Sequence, residues 1–233
     1  MNLRSTLLAT AALAASLPAQ SPGARLLGLT QNTPLIPQHS VPSCNLGPQC
    51  PVPLSAPPFL AGASAWDGTS QSLWVSDGFM LMNFQPDACT PVCATPTTSI
   101  LPVPTSGLTA VESLNTLFEM DLAGNIVQWQ LGCSPIPGPI CTITSPLPPS
   151  FRFTALAADD VRGLLFIGAA DPAAAANVIL VSNITNPCNP FAIYNVTPCS
   201  PNQPLRPLTG LAAESCSSSL YLTDGFTTQA LNY

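Results

Sequence analysis

Apolar and polar positions come in short bursts along this chain, without the three- and four-residue rhythm of an amphipathic helix. Residues 65–78 read A-W-D-G-T-S-Q-S-L-W-V-S-D-G. Within that stretch residues 72–76 are rich in aromatic and β-branched side chains, Asp77-Gly78 suits a tight hairpin, and residues 79–84 resume the apolar run. Run, turn and run predict a pair of antiparallel strands. Gly78 fits the turn because glycine adopts positive φ without steric cost.

The same pattern returns three more times. Aligned on a carboxylate (Asp67, Glu112, Asp159, Glu214), the units are 45, 47 and 55 residues apart. Alanine stands two positions earlier each time, at Ala65, Ala110, Ala157 and Ala212. Leucine and a ring follow, as Leu73-Trp74, Leu117-Phe118, Leu165-Phe166 and Leu220-Tyr221. Periods of this length belong to solenoids, propellers and arrays, and about 45 residues in three or four short strands is the size of one propeller blade. The fold class expected is therefore all-β, a β-propeller-type array of antiparallel blades. Its turns vary: Asp121 to Asn125 loosens the second, Asp224-Gly225 restores the fourth, and Gly168 to Pro172 with an alanine run makes the third longer or bulged. Proline-rich tails such as Pro146-Leu147-Pro148-Pro149 close the units. Since proline cannot donate to a sheet ladder, they predict edge strands and connectors.

Residues 1–20 read as a secretory signal, with Arg4 in the charged region, an apolar stretch over 7–17 and small residues around 14–19. That stretch is too short for a membrane span, and no other segment approaches the length required. Secretion to an extracellular or periplasmic compartment is expected. After it come a partial unit (21–58), whole units (59–104, 105–150, 151–206) and a second partial unit (207–233). Four blades with surplus strands, five with incomplete ends, or a chain shortened from something longer all fit that count.

Composition narrows the function classes. Charged residues are 7% of the chain, lysine is absent, and the five arginines (Arg4, Arg25, Arg152, Arg162, Arg206) are scattered. Nucleic-acid binding requires a basic patch that these cannot form. The formal charge of −6 names no partner.

Nine cysteines fall as Cys44/Cys50, Cys89/Cys93, Cys133/Cys141 and Cys188/Cys199, with Cys216 left over. One pair per unit in an exported chain predicts local disulfides Cys44–Cys50, Cys89–Cys93, Cys133–Cys141 and Cys188–Cys199 and an unpaired Cys216. Zinc binding would require convergent short-spaced ligands, whereas the intervals here vary and the one histidine, His39, lies in the first fragment.

Seven of the eleven acidic residues fall in two phased columns: Asp67, Glu112, Asp159 and Glu214, then Asp77, Asp121 and Asp224. Turn aspartates accept hydrogen bonds from their own backbone, which gives such columns a structural role. Up-and-down strands put the columns at opposite ends of a sheet, out of reach of one substrate. The first column is the candidate set for calcium, which takes several oxygen ligands. No histidine or lysine base stands beside a nucleophile. Asn183-Ile184-Thr185 and Asn195-Val196-Thr197 fit the N-glycosylation pattern. Trp66 breaks its column, where other units have Val111, Ala158 and Ala213, and is the candidate surface contact.

Leu73 to Gly78 and Leu220 to Gly225, the latter preceded by Gly210-Leu211-Ala212-Ala213-Glu214, resemble the NHL-type β-propeller repeat over about 25 residues of each unit. The resemblance implies a propeller whose faces bind partners. Some related propellers are calcium-dependent lactonases, but the acid, Asn and His set of those enzymes is not recognisable in this sequence. Further departures are Ala169 in place of the hairpin aspartate, the cysteine pairs and the low blade count. The sequence thus points to a secreted, non-catalytic module binding a protein or glycan. The alternatives are a calcium-dependent propeller hydrolase, and a cell-envelope component self-associating through its terminal blades.

Overall fold

The computed structural model describes residues 25–27, 35–40, 46–51, 61–66, 71–76, 79–85, 90–96, 101, 104–131, 140–197, 206–224 and 228–233, in places as backbone alone. The leader expected over 1–20, the Asp77-Gly78 turn, Asp67, Cys44, Cys89, Cys133 and Cys199 lie outside the described residues, as do the side chains of His39, Cys50 and Trp66.

Among the described residues, strands form five antiparallel sheets, each following chain order. The first holds β1 (Arg25–Leu27), β2 (Leu35–Ser40) and β3 (Leu46–Pro51). The second holds β4 (Ala61–Trp66), β5 (Gln71–Ser76), β6 (Met80–Gln85) and β7 (Thr90–Pro96). The third holds β8 (Thr105–Val111), β9 (Thr116–Asp121), β10 (Asn125–Gln130) and β11 (Cys141–Thr142), with a 3-10 turn, η1 (Glu112–Leu114), after β8. The fourth holds β12 (Arg152–Asp159), β13 (Leu164–Asp171), β14 (Ala176–Asn183) and β15 (Ala192–Val196). The fifth holds β16 (Gly210–Glu214), β17 (Ser219–Thr223) and β18 (Thr228–Asn232). The fold is the all-β, blade-like array that the repeat predicts, with five sheets and a three-stranded one at each end. The first sheet begins at the equivalent of a second strand and the fifth stops after its third, so the two repeat one another's middle strands.

First strands β4, β8, β12 and β16 pack side by side in that order. A close approach makes this row: a Cβ on Gly107 of β8 would lie 2.8 Å from the Leu156 Cβ of β12. Real Cβ atoms do not come that near, so glycine is required there. The backbones repeat in detail as well. The register slips at Ser106 between Thr105 and Gly107, and at the equivalent Thr154 between Phe153 and Ala155.

The leucine-ring dyads explain how the sheets adhere. Successive side chains on a strand point to opposite faces, so one dyad serves two interfaces. Leu117 packs with Trp74 and Leu108 against the second sheet, while Phe118 packs with Leu156, Leu165 and Ile167 of the fourth. One unit later Leu165 faces back into that same cluster, and Phe166 faces forward onto Leu211, Leu220 and Leu222 of the fifth sheet. Trp74, Phe118 and Phe166 are buried, whereas Tyr221 in the last sheet is half-buried and donates its hydroxyl to Glu214 Oε2 at 3.1 Å. The residue opposite the ring is small each time: Ala63, Thr109, Ala157 and Ala212.

The expected disulfides at Cys141 and Cys188 are corrected, while the third hairpin is longer, as expected. Cys141 bonds Cys188 in the next sheet, with Cα atoms 5.9 Å apart, so neither Cys133–Cys141 nor Cys188–Cys199 forms. The reason is register: Cys141 pairs with Ile126, and both face the cluster between the third and fourth sheets, where Cys188 is buried. Cys216 is free and exposed, as expected. In the third hairpin, β13 continues through Gly168, Ala169 and Ala170, and Asp171 opens a longer turn reaching Ala176. Asp171 thereby supplies the turn carboxylate that Ala169 lacks.

Candidate functional site

Antiparallel strands place the two carboxylate columns at opposite ends of the sheets. Turn carboxylates in the second column hold their own hairpins. Asp121 Oδ1 accepts the N–H groups of Ala123 and Asn125, each at 2.9 Å, while Gly124 takes φ 85°. Asp171 Oδ1 accepts Ala173 N–H at 2.9 Å, and its Oδ2 accepts the Ser150 hydroxyl at 2.6 Å. That hydroxyl, with the neighbouring backbone donors, holds the Asp171 carboxyl below the usual range.

At the other end, Asp159 is the hub. Ser215 Oγ donates to Oδ1 at 2.6 Å, Arg162 Nη1 to Oδ2 at 2.8 Å, and Tyr233 Oη to Oδ2 at 2.7 Å. Burial acts to raise its pKa, but the donors from Ser215, Arg162 and Tyr233 outweigh it and bring the carboxyl down to about 2. Arg162 also reaches the Ser215 carbonyl at 2.6 Å and Ser218 Oγ at 2.5 Å. Its guanidinium lies 5.6 Å from the Tyr233 ring centroid, and that ring stands 4.6 Å from Phe166. The adjacent Asp160 reaches the opposite way, accepting Ser113 N–H at 2.8 Å and the Ser113 hydroxyl. Ser113 and Ser215 each follow a first-column carboxylate, Glu112 and Glu214, so the fourth sheet's acid pair ties it to both neighbours.

That arrangement sets a pH dependence. Asp159 has a folded pKa below its ordinary 3.8, so its contribution is present above pH 3.8 and is lost as pH falls through about 2. Asp159→Asn is therefore expected to flatten the acid limb of stability between about pH 4 and 2 and to be less stable than wild type at neutral pH. Urea denaturation across a pH series reads this, and an acid limb unchanged in the variant rejects it.

The described first-column members do not share a site. Glu112 is exposed in η1, Asp159 is engaged as above, and Glu214 accepts Ser217 Oγ at 2.6 Å as well as Tyr221. Among the described residues no three His, Cys, Asp or Glu side chains gather as metal ligands.

The sequence reading passed over Glu119. It stands in β9 where other units carry Val75, Ile167 and Leu222, a break in an aliphatic column that marks it. Its carboxyl is fully buried between the second and third sheets, accepting Trp129 Nε1–H at 2.9 Å, Ser76 Oγ at 3.2 Å and the Thr105 hydroxyl. Burial pushes its pKa up despite these donors, with Asp121 nearby adding to the rise. Sealed from solvent, it joins sheets and meets no substrate.

One pocket of 510 Å³ opens beside the Asp121 turn, walled by Leu122, Ile143, Leu147, Pro149 and Phe153. Arg152 at its rim donates to the Pro149 carbonyl at 2.7 Å. It is an apolar recess without acid–base machinery in its lining. No helix among the described residues is long and apolar enough to cross a membrane. No protein-family model matches the chain, and no curated protein does.

Proposed function

We propose that this chain is an exported, non-catalytic binding module that takes an extended segment of a partner protein along β15, the outer strand of its fourth sheet. The carrying observation is an apolar row left in water there: Phe191 is 61% exposed, Ile193 41% and Tyr194 58%. By alternation Phe191 and Ile193 share one face and Tyr194 takes the other. Strand β15 ends the sheet order, so among the described residues no strand pairs with its outer backbone edge, the side to which an extended segment would add. Aromatic anchors beside an open edge favour a polypeptide, whose main chain can complete the ladder, over a glycan. The secretory leader read at 1–20 and the resemblance to partner-binding NHL propellers support the same reading.

Probed with an array of extended peptides beside a glycan array, the wild-type chain is expected to retain a subset of peptides. Phe191→Ser with Tyr194→Ser should weaken that retention by about tenfold without moving the melting curve. Equal retention by the variant, or retention by glycans alone, overturns the reading. Calcium uptake with turnover of a lactone panel would replace it with the hydrolase.

A second reading, a cell-envelope component that self-associates through its terminal sheets, has its own observation. Free Cys216 is exposed, and β18 leaves Leu231 37% exposed on the fifth sheet's last strand. Dimers on a non-reducing gel that vanish in Cys216→Ser would favour this reading.

A further inference from the structure

We infer that the pocket beside the Asp121 turn binds a small amphipathic carboxylate, an aliphatic chain with one negative charge, whose charged end sits on Arg152. The site is separate from the β15 edge and goes beyond the reading given for it. What points to it is one cation at the rim of an apolar recess, in a chain with five arginines and no lysine.

The walls are tied in place by the backbone. Leu122, Ile143, Leu147, Phe151 and Phe153 supply the apolar lining. Ile143 N–H donates to the Gly124 carbonyl at 2.9 Å and Phe153 N–H to the Leu122 carbonyl at 3.2 Å, which fastens both residues to the β9–β10 hairpin. Gly124 has φ 85°, and a Cβ there would lie 2.5 Å from the Phe153 ring, so glycine is what lets that ring rest on the turn. The proline-rich segment lines the pocket too, with Leu147 N–H on Ser145 Oγ and Phe151 N–H on the Pro148 carbonyl, each at 3.1 Å. Proline fixes its own φ, so this wall has little freedom to lose when a ligand enters. A volume of 510 Å³ falls within the roughly 300–1,000 Å³ of small-molecule sites.

Charge selects the occupant. Arg152 is the one ionisable side chain among the described lining residues. Its Nη1 donates to the Pro149 carbonyl at 2.7 Å and the Phe151 carbonyl at 3.1 Å, which fixes the guanidinium at the rim. Among the described residues Nη2 and Nε have no partner, and planar guanidinium donors match the two oxygens of a carboxylate. The nearby Asp171 carboxylate does not line the pocket and is occupied by Ser150 and the N–H groups of Ala173 and Ala174. A phosphate would meet a single cation and leave the apolar walls unused. A neutral chain would use the walls and leave the cation unused.

Calorimetric titration of the full chain with octanoate, octanol and inorganic phosphate tests this. Octanoate is expected to bind one-to-one and at least about tenfold more tightly than octanol, the advantage of a charge-assisted bond to arginine. Arg152→Gln should bring octanoate down to the level of octanol, and Leu147→Ser should weaken both. Absence of octanoate binding, octanol bound as tightly, phosphate bound in preference, or an advantage that survives in Arg152→Gln overturns the site. The octanoate–octanol comparison uses the wild-type chain, so it decides the matter even if a variant fails to fold. No residue is shared with β15, so failure here leaves the peptide reading standing.

Discussion

Phe118→Ala is expected to lower the free energy of unfolding by about 3–5 kcal/mol, the range for removing a fully buried ring from a packed interior. Phe118 sits inside the cluster that joins the third and fourth sheets, among Val111, Leu156, Leu165 and Ile167. Truncation leaves a cavity that the surrounding strands, held in their ladders, cannot close. Tyr221→Ala provides the control, because it alters the equivalent position in a half-buried setting. Its cost is expected near 1 kcal/mol, mostly the hydroxyl bond to Glu214. Urea unfolding of both variants reads the contrast. Equal losses at the two positions would reject the idea that the ring works by burial against the following sheet.

Replacing Cys141 and Cys188 together by serine is expected to cost about 4 kcal/mol, the chain-entropy value for a loop of 47 residues. The local pairs expected from sequence would close much shorter loops, worth about 2–3 kcal/mol. Crossing between sheets therefore stabilises more per bond and stiffens an interface instead of a single connector. The double variant avoids leaving one buried thiol beside a serine, and its midpoint in urea gives the answer. A loss under about 1 kcal/mol would mean that the native bond stores strain offsetting its entropic gain.

How legible this fold was depended on whether a feature is local to one unit. Leucine-ring dyads and turn aspartates are local, and all described members lie on second strands or hairpins as the pattern requires. The disulfide partners are not local. Spacing alone favours the nearest cysteine, and only the register, which sets Cys141 beside Ile126, shows that it faces the cluster holding Cys188. Asp159 was picked out as a calcium candidate, yet its partners Ser215 and Tyr233 belong to another sheet and carry no phase signal in its own unit. Glu119 was readable as a charge in an aliphatic column, but the donors that justify it, Ser76 and Trp129, come from different strands and sheets. The Cys141–Cys188 bond, the partners of Asp159 and the Ser76–Glu119 bond are all contacts across units, which a search for likeness among units does not see.

Because the Leu117-Phe118 and Leu165-Phe166 dyads send the leucine backward and the ring forward, an in-phase duplication of one such period would carry matching halves of both junctions it creates. A gene with such a repeat could lengthen or shorten by recombination without any compensating substitution. Variation in sheet number among descendants is the signature that history would leave.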